Sequence, residues 1–236
     1  MTITRILGWL AAIGLIAGLA AGFGYAPREA IQGNVQRIMY LHVPSVLTSY
    51  LAFGLVLIGS IAYLATRRAG WDRLAGAAGE LGVLFTGLTI VTGSIWGKPT
   101  WGTWWTWDPR LTSELVLLFL YFGFIALANA FEDPRRGDRA AALLGIIGLV
   151  NLPIIYFSVQ WWNTLHQGSS VSFKGTTMHV AMFRGMMLMA LACWMYAIGA
   201  ALVRVRSIIL EREARTRWVR ELRGRPGVGA AEGSRA

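Results

Sequence analysis

Six unbroken apolar stretches, at roughly 6–25, 42–65, 78–97, 113–131, 140–160 and 178–203, constrain this chain more than any other feature. A stretch of about 20 apolar residues spans the hydrocarbon core of a bilayer as an α-helix. Only helices and closed barrels satisfy their own backbone hydrogen bonds in lipid. Barrel strands show short alternating segments, and these runs are continuous. With 55% of its 236 residues hydrophobic and 14% charged, the chain has little left for a soluble domain. The expected fold class is therefore all-α: a polytopic membrane protein with six transmembrane helices. They should form one domain over 1–210, followed by a basic tail over 211–236. The Gly-rich end of that tail, from Gly224, is expected to be disordered. The first stretch reads as a retained span rather than a signal peptide, because it is longer than a usual h-region and carries Trp9 near its start.

The charge pattern orients the spans. The formal charge is +10, but it follows the membrane and gives no sign of a nucleic-acid partner. Of the 22 basic residues, 16 fall on one side: Arg5, Arg67, Arg68, Arg73, Arg135, Arg136, Arg139 and the nine arginines after Val203. The other side has Arg28, Arg37, Lys98, Arg110, Lys174 and Arg184. The positive-inside rule makes the first side cytoplasmic, with both termini inside. The tail from Arg204 reads as a basic helix continuing span six, suited to the anionic inner leaflet or a cytoplasmic partner. Gly76, Gly79 and Gly82 in span three permit close helix approach. Glu80 lies among them, either interfacial or paired within the bundle. Pro44 is expected in the first turn of span two, Thr112 or Ser113 as the N-cap of span four, and Pro153 as a kink in span five. The single cysteine, Cys193, reads as core packing. With no C-x-x-C-H the chain is not itself a c-type cytochrome, and with no P-loop any energy input must come from a partner.

Between spans three and four runs Ser94-Ile-Trp-Gly-Lys-Pro-Thr-Trp-Gly-Thr-Trp-Trp-Thr-Trp-Asp-Pro-Arg-Leu-Thr-Ser-Glu114. Read as a loop over 94–114, it puts Trp96, Trp101, Trp104, Trp105 and Trp107 into twelve residues. Tryptophan at helix ends is common, because its ring suits the headgroup layer, and that reading suffices for Trp161 and Trp162. It does not explain five in one short loop bracketed by Lys98 and Arg110. Such a loop suits a large, flat, apolar anion. The three histidines, His42, His166 and His179, all fall on the same outer side by alternation of spans. Two facing neutral imidazoles can ligate a haem iron. Arg110 is a candidate for its propionates by charge-assisted bonds, with Arg37, Lys98 and Arg184 as weaker ones. Asp108 can accept from loop N–H groups or pair with Arg110.

The run 96–108 resembles the tryptophan-rich WWD signature of haem-handling proteins. Tyr40-Leu-His-Val-Pro44 and Trp161-Trp-Asn-Thr-Leu-His-Gln-Gly168 look like the two flanking histidine motifs of the CcmC family. Val91-Thr-Gly-Ser-Ile-Trp-Gly-Lys98 and Leu111-Thr-Ser-Glu-Leu-Val-Leu-Leu-Phe-Leu-Tyr121 match the same family, and the resemblance runs from about residue 25 to 210. It implies a bacterial inner-membrane protein whose non-covalent b-type haem sits at the periplasmic face. The iron would be ligated by His42 and His166, with the Trp-rich loop, Asp108, Arg110, Trp161 and Trp162 around it. His179 falls on neither motif and takes a structural or lipid-facing role. The family presents haem to the periplasmic chaperone CcmE during cytochrome c maturation and works with CcmA, the ATPase, CcmB and CcmD. It is not itself an enzyme. Two other readings are a bis-His membrane cytochrome or electron-transfer subunit, and a pore without a cofactor. The first usually buries its ligands deep in the bundle, and the second leaves the tryptophan run unexplained.

Overall fold

The computed structural model describes residues 2–168, 170–172 and 175–223, so Lys174 and the tail from Gly224 lie outside the described residues. Each apolar run becomes a helix long enough to cross a membrane, six in all among the described residues. The first is α1 (Thr2–Leu19) ending in a π-helical turn, Ala20–Tyr25. A 3₁₀ turn, Val35–Ile38, leads into α2 (Met39–Thr66). Next come α3 (Ala69–Trp101) and α4 (Pro109–Asn129). The fifth crossing is α5 (Pro134–Ile147), a 3₁₀ turn at Gly148–Val150, and α6 (Asn151–Trp161). The two-residue strands β1 (Val171–Ser172) and β2 (Gly175–Thr176) pair antiparallel ahead of α7 (Val180–Arg212), and a short α8 (Arg217–Arg223) follows.

Three local expectations need correction. The tryptophan run is not a loop over 94–114, because α3 continues to Trp101 and α4 starts at Pro109. Pro99 falls in the last turn of α3, and the chain turns out at Gly102 with φ of 80°. Only 102–108 is non-helical. The N-cap of α4 is Asp108, which accepts from Leu111 N at 2.8 Å with Pro109 at the first helical position. That pairing beats Thr112 and Ser113, since Pro supplies no orphan N–H there. Ser113 instead donates back to the Pro109 carbonyl at 2.6 Å. Pro44 is the sixth residue of α2 and lies inside the helix, not in its first turn. Span five loosens ahead of Pro153: the proline cannot bond the carbonyl of Leu149, and that residue lies in a 3₁₀ turn between α5 and α6.

Helices α2 and α3 form the centre, with α4 and α5 on one side and α7 on the other; α1 lies outermost, against α7. Phe53, Val56, Phe85, Leu117, Tyr121 and Ile155 fill the core. Gly79 and Gly82 let α3 and α4 approach as expected. A Cβ on Gly82 would lie 2.1 Å from the Tyr121 ring, and Tyr121 is held by its hydroxyl donating to the Ser49 carbonyl at 2.7 Å. Cys193 is half-buried against the same core.

The arginine-rich end is tied together by ion pairs. Arg204 reaches Glu80 with two bonds, at 2.7 and 2.8 Å, so Glu80 is both half-exposed and paired. Arg212 bridges Asp72 of α3 and Asp138 of α5, at 2.7 and 2.9 Å. Arg73 pairs with Glu213 at 2.8 Å. The basic extension of span six is helical to Arg212, as expected, and folds back onto its own bundle.

Candidate functional site

At the opposite end of the bundle, α2, α3, α4 and the segment around His166 meet at a cleft. His42 and His166, 124 positions apart in sequence, both line it, together with Trp101, Trp105, Arg110 and Glu114. Packing of non-adjacent spans therefore joins the two histidines singled out by sequence.

His42 sits in α2 against one stripe of α3. Its Nδ1 lies 3.2 Å from the Thr89 carbonyl and 3.1 Å from Thr92 Oγ1. A carbonyl can only accept, so Nδ1 carries the proton and Nε2 keeps the lone pair a metal needs. Thr92 donates its own proton to the Leu88 carbonyl at 2.6 Å and can only accept from the ring. Gly93 makes room, since a Cβ there would lie 3.0 Å from His42 Cε1. Trp96 stands edge-on to the imidazole, with centroids 5.7 Å apart. Its indole N–H donates to Gln32 Oε1 at 2.9 Å, which ties the segment before α2 to this wall. Thr89, Thr92, Gly93 and Trp96 share one helical face by spacing, a signal the reading of single residues passed over.

His166 lies beyond α6, with Trp101 packed on its ring at 4.7 Å between centroids. Its backbone N–H donates to Thr164 Oγ1 at 2.9 Å. Asp108, 8% exposed, holds this segment against α4 by accepting from Thr164 Oγ1 at 2.8 Å and from Leu165 N at 3.2 Å. Its Oδ2 lies 3.8 Å from His166 Nδ1, which makes no hydrogen bond. Of the two roles expected for Asp108, the loop N–H groups are realised; no Asp108–Arg110 bond forms among the described residues. Arg110 donates to the Ile155 carbonyl at 2.9 Å and faces the cleft. Burial first, and Arg110 second, hold the His166 imidazole down at about 4, against the opposing pull of Asp108. It is therefore neutral, the form that ligates metal.

The other expected residues separate by place. Trp105 lines the cleft with its indole N–H buried and unpartnered. Trp104 and Trp107 point outward, 57% and 75% exposed. Trp161 and Trp162 are also exposed and lie outside the cleft, Trp161 stacked on Phe157 and Trp162 edge-on to Trp161, as in an interfacial belt. Lys98 donates to the Gly102 carbonyl at 3.0 Å and caps α3. Arg184 is exposed and Arg37 half-buried, and neither lines the cleft. His179 is the N-cap of α7, accepting from Ala181 N at 3.2 Å, which gives it a structural role.

Among the ionisable residues of the cleft, one escaped the sequence reading of the site. Glu114, expected to favour the start of a helix, lies a turn deeper. It is 7% exposed, with Tyr50 OH 3.3 Å from Oε2 and Oε1 unpartnered. Its helix-start position masks this, because depth depends on where α4 begins.

The chain was then compared with known proteins. The family model described as heme exporter protein C matches residues 1–220. Heme exporter protein C of Escherichia coli K12 is 45% identical over 217 residues, which cover 91% of this chain and 88% of that protein. The protein of the same name from Bradyrhizobium diazoefficiens is 43% identical over 216 residues, 90% of this chain and 82% of that one. A putative cytochrome c biosynthesis ccmC-like mitochondrial protein of Marchantia polymorpha is 45% identical over 157 residues, 66% of each chain.

Proposed function

This chain belongs to the heme exporter protein C family, and from that premise we propose that it binds haem between His42 and His166 and presents it to a carrier during cytochrome c maturation. The observation that carries this reading is the shared cleft: two histidines from distant spans, both neutral-ready, with two indoles and one guanidinium on the same walls. Among the described residues no three His, Cys, Asp or Glu side chains cluster to hold a bare metal ion. Two imidazoles instead suit an iron whose remaining positions are filled by a macrocycle. Trp101 and Trp105 offer flat apolar faces, and Arg110 offers charge-assisted bonds to a propionate.

The charge distribution supports the topology. With the arginine-rich end cytoplasmic, the cleft opens on the periplasmic side of a bacterial inner membrane, where the chaperone CcmE would receive the cargo. CcmA, CcmB and CcmD are the partner subunits the family implies, with ATP hydrolysis assigned to CcmA. Exposed Trp104 and Trp107 lie beside the cleft, not in it, which suits contact with the incoming chaperone. A site at the bundle end also favours release, in contrast to an electron-transfer haem buried between helices.

Optical spectra of the purified protein test the reading. Wild type should carry a b-type Soret band that His42→Ala and His166→Ala each shift or abolish. No band, or an unchanged band in both variants, refutes the ligand assignment. Trp101→Ala should alter the spectrum, whereas Trp104→Ala with Trp107→Ala should slow chaperone loading and leave the spectrum intact.

A further inference from the structure

Three acidic residues are buried among the described residues: Asp108, Glu114 and Asp138. The fold accounts for two of them. Asp108 accepts from Leu111 N, Thr164 Oγ1 and Leu165 N, and Asp138 accepts two bonds from Arg212. Glu114 has no such set. It forms no ion pair among the described residues, leaves Oε1 unpartnered, and accepts at Oε2 only from Tyr50 OH at 3.3 Å. That is long for an O–H···O bond. An ionisable side chain within a membrane span is costly and marks a working site, and Glu114 lines the cleft.

Its position says what it acts on. Tyr50 lies about two turns beyond His42 on α2, so Glu114 marks the inner end of the cleft. Arg110 stands one turn before Glu114 on the same face of α4. Among the described residues they are the one guanidinium and the one carboxylate lining the cleft. They do not bond each other, since Arg110 donates to the Ile155 carbonyl, yet their formal charges cancel. A site built to keep a haem would leave its cation to the propionates alone. Here a propionate drawn to Arg110 also meets a fixed like charge, in surroundings that screen it less than water does. We infer that Glu114 is a counter-charge to Arg110 that weakens the hold of the cleft on the carboxylates of its cargo, so that one cleft can both bind haem and give it up. This rests on the haem reading above. Glu114 has no part in holding the iron; it sets how strongly the anionic edge of the porphyrin is gripped.

The full chain in lipid nanodiscs supplies the test, loaded either with hemin or with hemin dimethyl ester, whose capped propionates carry no charge. Transfer to excess apomyoglobin gives the release rate. Glu114→Gln keeps the side-chain length and an oxygen for Tyr50, and removes the charge. It should slow hemin release on the order of tenfold, the scale on which one unit charge acts at an effective dielectric of about 20. Release of the ester should stay at the wild-type rate. Glu114→Met, which has no hydrogen-bonding oxygen, should behave like Glu114→Gln, because the charge and not the Tyr50 bond carries the effect. A Glu114→Gln protein that releases hemin at the wild-type rate or faster, or that slows both porphyrins equally, overturns the proposal. With a Soret band lost or shifted in His42→Ala and His166→Ala, that result leaves the two-histidine reading standing. A wild type without a band, or with one unchanged in both histidine variants, overturns both.

Discussion

Burial decides what His166 can do. Taking the imidazole out of water disfavours its charged form, and Arg110 adds to that, so the ring sits at about 4 against an ordinary 6.5. Because the folded-state value is depressed, the unfolded chain binds the proton first as pH falls. The neutral-histidine contribution to stability is whole above about 6.5 and is lost progressively down to about 4. The cargo-free protein should therefore show a falling unfolding temperature across that window, and His166→Gln should flatten the fall. An imidazole titrating near 6.5 by NMR would show that the ring is not buried in this way. Residue type was readable in the sequence, but the proton state was not, because it depends on Asp108, Arg110 and Trp101 arriving from other segments.

Helix boundaries show how local chemistry competes. Asp108-Pro109 outranks the Thr112-Ser113 pair as a start signal, and that alone moves Glu114 from a helix end into the cleft wall. The small residues of α3 were legible as a close-approach face, and the structure identifies the partner: Gly82 meets Tyr121, whose hydroxyl is held by Ser49. Gly82→Ala should therefore cost about 1–3 kcal/mol from overpacking, measured by unfolding in mixed micelles. Gly87→Ala, on the same helix with nothing within 4 Å, should be neutral or stabilising by up to about 1 kcal/mol, the difference in helix propensity. Equal effects at the two sites would mean that α3 and α4 are not in close contact at Gly82.

At the scale of the molecule, the chain ties its two ends by different means. The end with the cleft is held by side-chain bonds from Asp108, Arg110 and Trp96 to other segments, and the arginine-rich end by ion pairs. Asp72 and Asp138 are almost fully covered and share Arg212. Arg212→Ala leaves two covered carboxylates without their common cation; because Arg212 itself is 36% exposed, the loss should fall below the ~3–5 kcal/mol of a fully buried pair. Asp72→Asn added to it should restore part of the stability, which a purely topological arginine would not do. Thermal unfolding of the two variants in detergent decides between these roles.

The six crossings and their all-helical character follow from sequence by itself, because bilayer thickness sets span length and lipid forces each backbone group to find its partner within four residues. The tryptophan run and the two histidine motifs were legible for a related reason: they are local strings. What only the tertiary structure decided is how those strings meet. Asp108 clasps the segment that carries His166, Thr89 and Thr92 select the tautomer of His42, and Glu114 joins the cleft. Four of the five tryptophans divide into two that wall the cleft and two that face outward. Each of these depends on which helix packs on which, a matter of side-chain shape across spans distant in sequence, where hydropathy carries no information.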